Sequence, residues 1–220
     1  IPCDEINSLL RDRFNNIWLG SIGGGVLMID TKQSPFTFYS LNLAEDDVPT
    51  TAVRALFADA DKDLWLGTGS YGLARKDYET GVLSFFSHIP EFSDIPGVPT
   101  VNYIIQRKNG EVWFATYDGG ILIYEKGEKV KVLTESDTPY LYSDCVSALC
   151  EDSKGNCWVG CRGGMGISLA DGGHYRFGIL SFAGGGLADW YHVKDIVEDA
   201  DGSFWIATAN YGIIHIMGDV

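Results

Sequence analysis

Nine residues have the types and the placement to hold a ligand: Tyr71, Tyr117, Asp118, Tyr140, Arg162, Trp190, Tyr191, Asn210 and Tyr211. Aromatic rings with polar tips suit sugar rings, which stack on the ring face and take directed hydrogen bonds. Arg162 is the only cation among those in turns, and a guanidinium pairs in fork geometry with a uronate or sulfate. The alternative for the tyrosines is that they cover neighbouring sheets. Trp190 and Tyr191 favour binding slightly, because they fall outside the repeat that explains the other tryptophans.

Catalysis finds little support. His88, His174, His192 and His215 sit in different contexts, and no pair recurs at metal-ligand spacing. The glycine runs GSIGGG and GCRGGMG follow one strand and lead into another, so no helix N-terminus is there to hold a phosphate. No G-x-S-x-G nucleophile elbow is present. Acidic loop residues such as Asp46, Asp47, Asp144 and Asp189 are open to a catalytic role by fold analogy alone. The Asp59–Asp63 and Asp199–Asp201 runs resemble the start of a calcium loop but lack its distal glutamate. The expectation is no catalytic residue, no metal and no cofactor.

The scaffold that must position these residues is written in five near-copies of one phrase. Trp18, Trp65, Trp113, Trp158 and Trp205 are 47, 48, 45 and 47 residues apart, by difference of their numbers. Such a period with strand-like content marks a radial array of small sheets, a β-propeller. Six residues before each Trp stands Asp12, Asp59, Arg107, Asp152 or Asp199, followed by a turn rich in Asn, Gly, Lys and Asp. The aspartates are expected to cap the amides of that hairpin. Two residues after each Trp comes Gly20, Gly67, Ala115, Gly160 or Ala207, leaving room for an indole or a neighbouring backbone.

Both faces of the Trp strand are apolar, which predicts a sheet covered on both sides. Gly25, Gly72, Gly120 and Gly212, with Gly166 one position late, suit turns that need a positive φ. The second copy predicts strands at 52–58, 64–68, 72–77 and 82–87. Repeats run at 5–51, 52–99, 100–144, 145–191 and 192–220, with connections at 42–51, 88–99, 135–144 and 183–191 joining successive blades. All nine candidates lie on one end of these sheets, and the aspartate hairpins on the other. The expected fold is all-β, a single propeller of about four and a half four-stranded blades, most simply a fragment of a seven-bladed one.

Composition limits the partners. A formal charge of −14 over 220 residues argues against nucleic acid and anionic membranes. No apolar run reaches the length of a membrane span, and the first residues lack the layout of a signal peptide. Of the five cysteines, Cys150 and Cys157 replace apolar residues in register and Cys161 replaces Ser or Thr, so they read as small buried side chains.

The motif D-x-x-G/N-x-[apolar]-W-[apolar]-G/A-T-x-x-x-G-[apolar] resembles the two-component regulator propeller repeat, and all five copies carry the resemblance. Arg107 at the Asp position and Cys161 at the Thr position are departures. The resemblance implies part of the periplasmic sensor region of a Bacteroides-type hybrid two-component histidine kinase, anchored in the inner membrane. It also implies an oligosaccharide as ligand, a homodimer, and contacts with further blades and downstream domains. A structural propeller without its own ligand site, or less simply a carbohydrate-active enzyme, are the rival expectations.

Overall fold

A computed structural model describes residues 5–22, 25–29, 37–39, 52–69, 71–95, 97–178, 192–209 and 211–217. Trp190, Tyr191 and Asn210, together with Asp46, Asp47 and Asp189, lie outside the described residues, as do the connections at 42–51 and 183–191.

The strands group by sequence into short antiparallel meanders. The first is β1 (Ile6–Arg11), β2 (Ile17–Ser21), β3 (Gly25–Ile29) and β4 (Thr37–Tyr39). The second is β5 (Val53–Ala58), β6 (Leu64–Thr68), β7 (Leu73–Lys76) and β8 (Leu83–Phe85). The third is β9 (Val101–Gln106), β10 (Val112–Thr116), β11 (Ile121–Tyr124) and β12 (Lys131–Leu133). The fourth is β13 (Val146–Glu151), β14 (Cys157–Cys161), β15 (Gly164–Ser168) and β16 (His174–Gly178). The fifth holds three described strands, β17 (Val193–Glu198), β18 (Phe204–Thr208) and β19 (Ile213–Ile216). In each sheet the strands pair in chain order, which is the blade of a β-propeller. The chain divides into two compact units, Ile1–Ile104 and Ile105–Val220.

A shared device starts each inner strand. The pairing of β1, β5, β13 and β17 slips by one residue at Ile6/Ser8, Val53/Ala55, Val146/Ala148 and Val193/Asp195. A bulge at the same place in four sheets increases twist where the chain enters each blade.

Sheet packs on sheet through the residues the motif leaves small. Within the first unit, a Cβ on Gly20 would stand 2.9 Å from Val53 Cγ1, and one on Gly67 2.8 Å from Val101 Cγ1. Within the second, Gly160 meets Val193 in the same way. The glycine thus makes room for the valine that opens the next inner strand, and Val53, Val101 and Val193 are fully buried. Around this contact the first unit packs Trp18, Val26, Leu64, Leu66, Ala74 and Phe85. The second packs Trp158, Met165, Ile167, Ile196, Phe204 and Ile206, with the rings of Trp158 and Phe204 stacked at 3.9 Å. As expected from its two apolar faces, β6, β10 and β14 are buried along their whole length. β18 departs: Trp205 is 41% exposed where Trp158 is 1%, and its ring stacks on His215 at 3.8 Å.

All five hairpins before the tryptophans share one backbone design, closed for example by Asp152 N donating to Asn156 O at 2.9 Å. The aspartates cap it as expected: Asp12 Oδ1 accepts from Phe14 N and Asn16 N, and Asp152 Oδ1 from Asn156 N. They also do something the spacing alone did not reveal. The second carboxylate oxygen of Asp12, Asp59, Asp152 and Asp199 accepts the indole N–H of its own Trp, at 2.9, 2.7, 2.9 and 2.9 Å. In the third copy Glu111 takes over, accepting from Trp113 Nε1 at 2.9 Å. Arg107, at the aspartate position, lies 4.8 Å over the Trp113 ring and pairs with Glu151 at 3.2 Å and Glu111 at 3.7 Å.

Two sequence expectations need correction. Gly166 is not the turn glycine of the fourth copy; it sits within β15 opposite Val159, and the positive φ (91°) belongs to Gly163. The turn is two residues long because β14 and β15 stay paired to Cys161 and Gly164. Gly166 is instead a close approach, where a Cβ would fall 1.7 Å from Tyr140 O. The connection at 88–99 is also more than a link. It carries two single-turn 3-10 helices, Phe86–His88 and Pro90–Phe92, and buries Ile89 and Phe92.

Candidate functional site

The end of the sheets opposite the hairpins is built by the turns after β2, β6, β10, β14 and β18. Ser21, Thr116 and Thr208 close three of them by donating to the carbonyl of Gly25, Gly120 and Gly212 at 3.0, 2.9 and 3.0 Å. Thr68 Oγ1 accepts from Tyr71 N, as Thr208 Oγ1 does from Tyr211 N. This hydroxyl lock explains why the residue three after the Trp is Ser or Thr in four of the five copies. Cys161 stands at that place in the fourth copy, where the turn is the short Arg162–Gly163.

Each candidate now has a place. Tyr71, in the first unit, packs on the core and meets Phe85 edge to face at 6.2 Å, so it covers its sheet. Tyr140, in the second, is half-buried; burial, with the nearby Cys157 adding to it, pushes its phenol up to about 12 even though Ser168 hydrogen-bonds it. That ring is a packing element too. Tyr117 and Tyr211 are exposed.

Asp118 and Arg162 come together. They line an open cavity of about 400 Å³ in the second unit with Tyr142, Ser143, Asp144 and Gly163. Ser143 Oγ donates to Arg162 O at 3.1 Å, and Arg162 N donates to Cys145 O at 2.9 Å, fixing the turn against the incoming connection. Arg162 also bridges His192 across the start of the next repeat. Asp144 Oδ1 accepts from Glu135 N, and its carbonyl accepts from Gly120 N. Gly163 is held to its size by Tyr142, whose ring would lie 3.0 Å from an added Cβ.

Tyr142, Ser143 and Gly163 were not among the nine candidates. Their signal in the sequence was positional: a connection ending beside a turn, which only the paired register reveals.

Behind Arg162 lies a Cys–His contact, Cys145 Sγ to His192 Nε2 at 3.7 Å. Burial raises the Cys145 thiol, and Asp118 raises it further against Arg162 and Lys194. Burial lowers the His192 imidazole, with Lys194 and Arg162 acting the same way. Both shifts oppose a thiolate–imidazolium pair, so the contact is not an activated nucleophile. Burial likewise raises the Cys150 thiol to about 11 and Cys157 to about 12, which makes them packing residues.

The family model for the two component regulator propeller matches residues 1–23 and 143–163. Those segments hold the first hairpin and the start of the Cys161 turn. Those two segments match the two-component regulator propeller repeat in sequence.

Solved structures share the fold. The extracellular domain of a protein described as a hybrid two component system from B. thetaiotaomicron is 18% identical. It covers 100% of this chain and 32% of that one, with a TM-score of 0.62. PorZ, a surface component of the type-IX secretion system of Porphyromonas gingivalis, is 18% identical over 96% of this chain and 32% of its own, with a TM-score of 0.65. Virginiamycin B lyase from Staphylococcus aureus is 15% identical over 96% and 69%, at 0.67. The chain therefore spans about a third of the length of the two-component structures it matches. No curated protein matches the chain in sequence.

Proposed function

We propose that the chain is part of the extracytoplasmic, ligand-sensing propeller region of a hybrid two-component sensor, facing the periplasm and non-enzymatic itself. The repeat supports the sensor class, and the solved extracellular domains that share its fold agree with that location. The ligand is an oligosaccharide bearing an anionic group. One observation carries this reading: the Arg162 turn meets Asp118, Tyr142 and Ser143 around a single open cavity, so cation, carboxylate, hydroxyls and an aromatic ring face one space. The exposed candidates Tyr117 and Tyr211 belong to turns at the same end of their sheets and extend the surface. In the parent protein, further blades, downstream signalling domains and a second copy are the partners.

A structural reading has its own support at two positions, since Tyr71 and Tyr140 pack inward. The two readings separate in the intact receptor. Calorimetry over a panel of neutral, uronate-containing and sulfated oligosaccharides should find binding that Arg162→Ala weakens at least tenfold for the anionic sugars. Binding that is unchanged in Arg162→Ala would assign the site elsewhere, and no binding across the panel would remove the ligand class.

A further inference from the structure

The hairpin end of the first unit holds a second cavity, of about 270 Å³, lined by none of the nine candidates. Trp18, Met28 and Leu64 contribute its apolar lining. Two exposed aromatics from different sheets contribute as well: Phe14 and Tyr78 lie parallel, 1° apart in plane angle, with ring centroids at 5.6 Å. The Lys62 ammonium sits 4.6 Å from the Tyr78 ring and 5.7 Å from Phe14, and Lys76 sits 5.3 Å over Trp18.

The charges are unequal. In a chain of net charge −14 this cavity is lined by Arg13, Lys62 and Lys76 against Asp12 and Asp77. Both carboxylates are already engaged. Asp12 accepts from Phe14 N, Asn16 and the Trp18 indole, and Asp77 from Thr80 N and Oγ1. Arg13 donates to Asp59 O and Ala60 O. Among the described residues Lys62 forms no ion pair; its ammonium rests on ring faces.

Lys62 is also held in an unfavourable backbone. Three residues before each Trp the chain turns through positive φ: Asn15 at 70°, Lys62 at 77°, Gly110 at 97°, Gly155 at 88° and Gly202 at 81°. Three copies use glycine, and asparagine tolerates that region. A lysine there is strained, and such residues gather at ligand clamps. The strain places a cation where glycine would place nothing.

We propose that this cavity binds a small aromatic carboxylate, its ring against Trp18 and the Phe14–Tyr78 pair and its carboxylate on the Lys62 ammonium. A cavity at the small end of ligand pockets admits one or two rings. With most polar groups committed internally, it offers a neutral sugar few partners, but offers an apolar anion both ring faces and a cation. The site is independent of the Arg162 cavity.

Phenylacetate and its neutral counterpart 2-phenylethanol are the probes, titrated calorimetrically into the protein while tryptophan fluorescence is followed. Phenylacetate should bind one to one and at least tenfold tighter than the alcohol. Lys62→Gly should keep or raise the thermal unfolding temperature and lose the discrimination, and Phe14→Ala should weaken both probes. No phenylacetate binding at millimolar concentration, equal affinity for the two probes, or binding unaltered in Lys62→Gly would overturn the proposal.

Discussion

At the residue scale, the tryptophan and the acid six residues before it act as a single part. Trp158 is buried, so its indole N–H needs an acceptor, and Asp152 supplies one while its other oxygen caps the hairpin. Asp152→Ala should cost about 1–3 kcal/mol in chemical denaturation, the range for orphaning a buried donor. The carboxylates differ in what they feel. Burial works to raise Asp12 and Asp152, but hydrogen bonds from Trp, Asn16 or Asn156 and backbone amides override it and hold both below 3.8. Their folded values are depressed, so their stabilisation is complete above 3.8 and is lost as pH falls from there through the lower folded values. Asp59 runs the other way: burial, then the nearby charges of Asp63 and Asp61, raise it despite the Trp65 bond. Its ionisation weakens the fold as pH rises above 3.8. Asp59→Asn, which retains an acceptor for Trp65, should therefore cost less at pH 7 than Asp152→Asn, as urea midpoints at pH 7 would report. Lys62→Gly should leave stability unchanged or raise it by up to about 1 kcal/mol, because it relieves a left-handed lysine.

At the element scale, the first, second and fourth sheets each carry a glycine that admits the valine opening the next inner strand, and the Trp158 ring is covered by Phe204 of the next sheet. Gly67→Val should destabilise by at least about 1–3 kcal/mol, since the first added carbon already meets Val101 side chain and carbonyl at 2.8 Å. Trp158→Ala should cost about 3–5 kcal/mol, and Trp205→Ala clearly less, because only the former is buried beneath the next sheet. Comparing the two variants by thermal melts checks this directly. The period and the alternation made the strands readable: 64–68 matches β6 residue for residue. Gly166 was misplaced because an alignment anchored on Trp158 cannot see that a turn has shortened. The Glu111 substitution for Arg107 was hidden for a related reason. A side chain two residues before the Trp can reach the indole that one six before it reaches elsewhere, and only geometry shows that the two are equivalent.

At the scale of the molecule, the chain is a set of nearly equivalent sheets that pack on their sequence neighbours within each unit, as in other repeat proteins. Such a scaffold leaves its two ends free to vary. The hairpin end keeps one backbone design in all five copies and departs from it in side chains at Arg107–Glu111 and at the aromatic–lysine cavity around Lys62. Among the described residues the turn end departs at Arg162, where a cysteine replaces the locking hydroxyl and the loop shortens beside the 135–144 connection. The candidate site was partly legible, since Arg162 and Asp118 are conspicuous as breaks in the pattern. Of its other walls, Tyr142 belongs to the same connection as Tyr140, whose aromatics the sequence already brought to this end, whereas Ser143 comes from a non-repeating path that no period describes. The most direct test of the Arg162 site is amide hydrogen exchange of the intact receptor with and without an anionic oligosaccharide. Slowed exchange is expected in peptides spanning 116–120, 140–145 and 161–164, with the hairpin peptides around 59–63 and 107–111 unchanged. Protection confined to the hairpins, or none in those three turn-end peptides while ligand is bound, would contradict it.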